Sequence, residues 1–560
     1  MADCQTNAEK LKAEGNAFHQ QGKYKQAFGR YSEAIKLDDK NAILYSGAAS
    51  DAQKAVELDP SYTKAWARLG KAQLALHRYH DSITAYQRAL DRVSKVEALS
   101  ATEQDIKVQC EAGLLACEEA LEDATEKGMD VVGIPATAGD IVRLPWMRAA
   151  RLQGELRNAG EWRSCVWVIV NATMDFKSGV QRMIAMQRTL PDSLSEDESP
   201  LVSISNGLLR DQRIFHVESL DFFEMLAEQF SLEGQIFSGW GKSTVKEVRK
   251  QALKRLKESG WVKTRAPLSN AVRNWIIEGF LESTTGNIVH SLDYYRQALE
   301  ILEWGRALWK DIPKDERSII FEDSFVRGTK RMYASALVKA YASRKLEADA
   351  KAILQEVKKV GEDLVAEVAA AGPPPTYCPG MQDLDPGFIS SFWYYAEADG
   401  LSCIGYYHMQ TGLDMVRTNA DKALAREQFT LAAKFYTQSA ESFPGDDEKR
   451  PYYLKVALEA YWRRGTPLDT TLPLCKRIRE ALLDTARIWE MWQSTPGTQQ
   501  FFEDVSLFEN GAQEALERGK FKLDRILTPK WLPDAPCLLP DADREVEFLI
   551  DRRGACKKRV

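Results

Sequence analysis

Small and aromatic residues recur along this chain at fixed helical steps. Ala27, Tyr31 and Ala34 are spaced by four and three, and Ser82, Tyr86 and Ala89 repeat those steps. So do Ser291, Tyr295 and Ala298, and later Ala432, Tyr436 and Ser439. Residues at such spacings share one face of an α-helix. Gly15, Gly70 and Gly279 each stand twelve residues before the first small residue of their set. Two helices pack closely only where small residues let their backbones approach, and aromatic rings fill the groove beside them. The pattern predicts an all-α chain of antiparallel helix pairs.

The step from Ala55 to Ala89 is 34 residues, with Pro60 closing the unit that Ala55 ends. A 34-residue helix-turn-helix period resembles the tetratricopeptide repeat (TPR) family, a solenoid that holds peptides. The segments Lys12-Ala-Glu-Gly-Asn16, Tyr31-Ser-Glu-Ala-Ile-Lys-Leu37, Leu44-Tyr-Ser46 and Lys64-Ala-Trp-Ala-Arg68-Leu-Gly70 are similar to the TPR domains of chaperone co-factors. Those are the small glutamine-rich co-chaperones and the proteins that organise heat-shock chaperones. The resemblance implies a two-carboxylate clamp for the acidic C-terminal Glu-Glu-Val-Asp tail of 70-kDa and 90-kDa heat-shock chaperones. Four of its five positions match at Lys12, Asn16, Lys64 and Arg68; the fifth, an Asn in the family, is Gly47. Lys12 and Asn16 would meet the terminal carboxylate, and Lys64 and Arg68 the side-chain carboxylate and nearby backbone. Such anions call for Lys and Arg donors, Arg offering a planar fork. Residues 1–91 hold 13 Lys+Arg against 11 Asp+Glu, whereas the whole chain carries a formal charge of −6.

Ala34 to Ala55 is only 21 residues, so the middle unit is 13 residues short. If residues 42–58 fuse into one helix, the order of helices shifts by one, and Lys64 and Arg68 no longer face Lys12 and Asn16. If Gly47 and Ser50 permit a tight bend, two short helices preserve the groove.

Past the repeats, residues 93–128 are expected to form a capping helix, with Val108, Leu115 and Ala116 among its apolar positions. Trp146, Leu152, Leu156, Trp162, Val166, Val170 and Met174 recur at roughly helical intervals. They make residues 129–269 a helical middle region, interrupted by an acidic loop at 191–200 that contains Ser193 and Ser195. Residues 270–371 and 389–527 are expected to be TPR-like repeats, separated by a Pro/Gly-rich linker at 372–388. An irregular tail would occupy 528–560.

Composition removes several alternatives. The slight acidity argues against wholesale nucleic-acid binding. Nine cysteines without a C-x-x-C pair fit neither a disulfide framework nor a zinc site. No secretory leader is visible, and no apolar run reaches the roughly 18 residues of a membrane span. A cytoplasmic or nuclear location is expected. Gly239-Trp-Gly-Lys-Ser-Thr244 lacks the first glycine of a phosphate loop, its place being taken by Ile236. The six histidines contain no H-E-x-x-H pair. The basic stretch Lys246 to Arg265 reads as a solvated helix face, and the Trp-rich tracts as solenoid core. No cofactor, metal or catalytic residue is therefore expected.

The function expected is that of a non-enzymatic adaptor or co-chaperone, with other proteins held by the C-terminal repeats. A general interaction scaffold without a chaperone role is the alternative, and an enzyme within the middle region a second one.

Overall fold

The computed structural model describes residues 61–75, 79–93, 100–126, 143–188, 194–217, 222–240, 243–343, 349–379, 384–529, 531–532, 548–550 and 556–558, except 315 and 521. It also describes residues 14, 30, 52, 55, 56 and 59. The chain divides into two compact units, residues 1–141 with 216–226, and residues 142–215 with 227–560.

In the first unit, α1 (Thr63–Ala75), α2 (Tyr79–Val93) and α3 (Ala101–Glu126) pack in succession. Ala65, Leu69 and Ala72 of α1 bury against Ala85 of α2 and against Ala52 and Val56, which are helical. α3 lies within the stretch expected to form a capping helix, and its buried stripe is Ile106, Cys110, Gly113 and Cys117. Val108 and Leu115, named among its apolar positions, are more than half exposed. Gly113 decides the orientation: a Cβ there would sit 2.4 Å from the Tyr86 ring, so only this face lets α3 approach α2.

The second unit contains α4 (Pro145–Ala159), α5 (Cys165–Arg188), α6 (Pro200–Arg210), most of α7 (Phe222–Ile236), α8 (Val245–Thr284) and α9 (Ile288–Leu308). It continues through α10 (Asp323–Ser343), α11 (Ala350–Ala370), α12 (Tyr395–Arg417), α13 (Lys422–Ser442), α14 (Lys449–Arg464), α15 (Leu468–Gln493) and α16 (Pro496–Glu517). From α8 onward the helices pack as consecutive pairs, α8 with α9, α10 with α11, α12 with α13 and α14 with α15. Within α8 the chain breaks at Gly260, whose φ of 70° and ψ of −174° leave the helical region, a conformation cheap only for glycine. The basic residues before that break are largely solvated, as the sequence implied.

The Pro/Gly-rich segment 372–388 runs inside this unit. The helices on either side of it, α11 and α12, touch through Gly361 and Gly400, where a Cβ on Gly361 would lie 2.7 Å from the Gly400 carbonyl oxygen. Trp309, Trp462 and Trp489 are buried in the array. Where an irregular tail was expected, three short strands pair: β1 (Leu527–Pro529) parallel to β2 (Phe548–Ile550), and β2 antiparallel to β3 (Cys556–Lys558). Three residues per strand carry no readable alternation.

Candidate functional site: the exposed face of α1 and its buried counterpart on α8

Gly70 on α1 has no side chain because the Tyr86 ring of α2 lies over it; a Cβ there would fall 2.7 Å from Tyr86 Cδ1. Ser82 Oγ donates a 2.7 Å hydrogen bond to the Gly70 carbonyl, and Cys117 Sγ of α3 lies 3.1 Å from Ser82 Oγ. Burial pushes the Cys110 thiol up to about 11, so it is a packed apolar group rather than a nucleophile.

This packing fixes the rotation of α1 and turns Lys64, Arg68 and Lys71 onto its remaining face, one turn apart. Lys64 and Lys71 are exposed and Arg68 is half-buried. Desolvation pulls the Arg68 guanidinium below its ordinary value, opposed by Tyr62. The structure thus brings two of the four expected residues, Lys64 and Arg68, to one face and adds Lys71. Lys12, Asn16 and Gly47 lie outside the described residues. So do Gly15, Ala27, Tyr31 and Ala34 and the path of the shortened unit before Ala52.

The pair α8–α9 repeats the arrangement. Ser291 Oγ donates to the Gly279 carbonyl at 2.6 Å, and the Tyr295 ring lies 3.2 Å from where a Gly279 Cβ would be. Counting from the two glycines, Lys64, Arg68 and Lys71 correspond to Arg273, Ile277 and Phe280. All three of those are buried, because the chain's own α6 covers part of this face.

Eight of the eleven residues of α6 are buried. Glu233 of α7 accepts the Leu201 backbone N–H at 3.2 Å and Ser199 Oγ at 2.6 Å, so a carboxylate sits at the amino end. Arg273 Nη1 donates to Ser205 Oγ at 2.7 Å and Asn206 Oδ1 at 2.8 Å. At the carboxyl end Arg331 Nη1 donates to the carbonyls of Leu209 and Arg210 at 3.4 and 3.2 Å. Negative charge at the first turn and positive charge at the last oppose the helix dipole, which stabilises the seated helix. Burial raises the Glu233 carboxyl and pulls the Arg273 guanidinium down to about 10.

Just past α6, Arg213 pairs with Asp211, Asp447 and Glu448 at 2.6, 2.8 and 2.9 Å, and lies 4.4 Å from the Trp489 ring centroid. Asp399 joins Arg331 and Lys449, each at 2.8 Å. These cations are matched by carboxylates of the same chain, which makes the cluster a tie between α6 and the later pairs. Among the described residues no group of His, Cys, Asp and Glu is placed to hold a metal ion, and no helix is long and apolar enough to cross a membrane.

Comparison with known proteins finds similarity at the amino-terminal end. A TPR repeat family model matches residues 15–50. Residues 15–50 are thus similar to a tetratricopeptide repeat. The Hsp70-Hsp90 organizing protein of Triticum aestivum is 35% identical over 113 residues, covering 18% of this chain and 19% of the relative. Small glutamine-rich tetratricopeptide repeat-containing protein 2 of Saccharomyces cerevisiae is 34% identical over 115 residues, covering 18% and 32%. The heat shock protein sti1 homolog of Schizosaccharomyces pombe is 38% identical over 96 residues, covering 15% and 16%. The chain therefore spans no more than about a third of these relatives. A solved structure of yeast Tom70 aligns over 88% of this chain and 98% of its own at 13% identity, with a TM-score of only 0.20. Nothing about fold or function follows from a likeness at that level.

Proposed function

We propose that this protein is a non-enzymatic adaptor whose N-terminal TPR block holds an acidic peptide. The observation that carries the reading is the cationic face of α1, where Lys64, Arg68 and Lys71 stand one turn apart, two of them exposed. TPR proteins of the adaptor and co-chaperone kind act by binding, and the relatives named above include an organizer of Hsp70 and Hsp90. The ligand proposed is accordingly the acidic C-terminal tail of the cytosolic 70-kDa and 90-kDa chaperones. Lys12 and Asn16 complete the clamp for its terminal carboxylate. The equivalent face of α8 is buried, which leaves the N-terminal block as the place for such a tail.

The test is fluorescence anisotropy of a labelled peptide ending in Glu-Glu-Val-Asp, with free or amidated C-terminus, against the full chain. Lys64→Ala and Arg68→Ala should each weaken binding about tenfold, the loss of one charge-assisted hydrogen bond, and amidation should do the same. Equal affinity in all arms removes the chaperone reading and leaves a general scaffold.

A further inference from the structure

Residues 245–265, at the start of α8, hold eight lysines and arginines against two glutamates, in a chain whose formal charge is −6. The fold sorts these cations by type. Arginine turns inward: Arg249 donates to the Glu300 carbonyl at 3.0 Å and lies 5.5 Å from the Trp304 ring centroid. Arg255 donates to the Ser238 carbonyl at 2.9 Å and lies 4.8 Å from the Trp240 ring centroid, and Arg265 pairs with Glu196 at 3.3 Å. Together with the buried Val248 and Ala252 they hold this part of α8 to the array. Of the two acids, Glu247 is committed to the helix start, where it accepts the Thr244 N–H at 2.8 Å.

Lysine turns outward. Lys246, Lys250, Lys254, Lys257 and Lys263 are exposed, and none of the five bonds to or pairs with another side chain among the described residues. At 3.6 residues per turn, Lys246, Lys250, Leu253 and Lys257 fall within about 60° of one another on the helix surface. Leu253 is 47% exposed in the middle of that stripe, and Val262, two residues past the break at Gly260, is 83% exposed. The uncovered face is therefore cationic with aliphatic points in it. Protein interfaces favour arginine, whose rigid fork matches carboxylates held in place, and are depleted in lysine. A nucleic-acid backbone would use the lysines and leave Leu253 and Val262 in water. A fluid layer of acidic headgroups over hydrocarbon asks for flexible point charges and for apolar side chains beside them.

We propose that this face of α8 docks on the anionic surface of a lipid bilayer. The lysine ammonium groups sit among acidic headgroups, and Leu253 and Val262 enter the boundary beneath them. The proposal is independent of the acidic-tail reading, since it uses residues of the second unit alone.

The experiment is flotation of the full chain with vesicles of phosphatidylcholine alone or of phosphatidylcholine and phosphatidylserine at three to one. Labelled polyglutamate and labelled single-stranded RNA, read by anisotropy, stand for an acidic protein and a nucleic acid. Only the mixed vesicles should float the protein, and less of it as salt rises. Lys246→Gln, Lys250→Gln and Lys257→Gln combined should weaken that binding about a hundredfold, each lysine near such a surface contributing roughly fivefold. Lys351→Gln, Lys422→Gln and Lys476→Gln combined, the same charge change at exposed positions of α11, α13 and α15, should bind like the parent. Leu253→Ser with Val262→Ser should weaken vesicle binding about tenfold. Circular dichroism melting of each variant separates a lost surface from a lost fold. Mixed vesicles that bind no protein, or that bind both lysine variants alike, overturn the proposal. So does vesicle binding indifferent to Leu253 and Val262. Polyglutamate or RNA binding that is lost with the α8 lysines, while the mixed vesicles stay bare, assigns the face to that partner instead.

Discussion

Ser291 and Gly279, twelve residues apart, are joined by a 2.6 Å hydrogen bond from hydroxyl to carbonyl, and Ser82 and Gly70 repeat it at 2.7 Å. The bond ties the second helix of a pair to the first at the point where the backbone is barest. It fixes the distance at which Tyr295 and Tyr86 lie over the two glycines. Everything else on the first helix then has a determined direction. In one pair that direction leads to solvent, and in the other to α6.

Adding a methyl at these glycines sets a helix-propensity gain of about 1 kcal/mol against overpacking of roughly 1–3 kcal/mol. A Cβ on Gly70 would meet Tyr86 at 2.7 Å, against 3.2 Å for Gly279 and Tyr295. Gly70→Ala should therefore destabilise the first unit, and Gly279→Ala should sit near neutral. Gly154→Ala on α4, with open space around it, should stabilise by up to about 1 kcal/mol. Urea unfolding of the three variants gives the order; Gly70→Ala matching Gly154→Ala would disprove the packing argument.

How much of this was legible in the sequence varies by element. The offset of twelve between glycine and serine, followed by steps of four and three, was enough to place both helix pairs, because that geometry is local to about thirty residues. The seating of α6 was not legible. Pro200 to Leu209 carries an apolar face of Leu201, Val202, Ile204, Leu208 and Leu209, which calls for a partner surface, but nothing in it says which surface will cover it. That surface is assembled from Glu233, Arg273 and Arg331, which span almost a hundred positions. The buried face of α3 was misread for a related reason. Val108 and Leu115 are more hydrophobic than Gly113, yet Gly113 decides the contact because Tyr86 needs the room.

Arg331 holds the carboxyl end of α6, the Ser391 carbonyl and Asp399 together. Arg331→Met should cost about 3–5 kcal/mol, since it leaves Asp399 with Lys449 alone and takes a charged donor from the carbonyls of Leu209, Arg210 and Ser391. Arg306→Met offers a matched comparison, because that arginine pairs with Asp323 and Glu367 near the surface, where such pairs contribute about 0–1 kcal/mol. Guanidinium titrations followed by tryptophan fluorescence would separate the two. Comparable midpoints would mean that α6 is held by its apolar contacts alone.

Glu448 links stability to pH. Burial first, and then repulsion from Asp447 and Asp211, raise its carboxyl to about 7, with Arg213 pulling the other way. A carboxyl raised in the folded state contributes stability that is complete below its unfolded value near 4.5 and is lost as pH rises through about 7. Glu448→Gln cannot ionise and escapes that loss. The melting temperature of the variant relative to the parent should thus rise between pH 5 and pH 8, the difference being on the order of 3 kcal/mol at most. A gap that stays constant or narrows over that range would show that the Arg213 pair outweighs the burial penalty.

Lys71 extends the cationic face of α1 by one turn beyond Arg68, at a position that the family resemblance does not assign. It is exposed, and so it can change charge without disturbing the core that Ala65, Leu69 and Ala72 build. A peptide long enough to reach it would carry acidic residues upstream of its terminal carboxylate. Lys71→Glu should then weaken an extended acidic peptide by about tenfold at low salt, replacing attraction with repulsion of like charge. It should leave a four-residue tail almost unaffected, because the proposed clamp holds that tail through Lys12, Asn16, Lys64 and Arg68 without Lys71. The difference should shrink as ionic strength rises, since an exposed charge is screened within about 8–10 Å. Titrating both peptides against the variant at two salt concentrations checks the claim. If the short tail loses as much as the long one, the ligand does not run along α1 in the direction from Lys64 to Lys71.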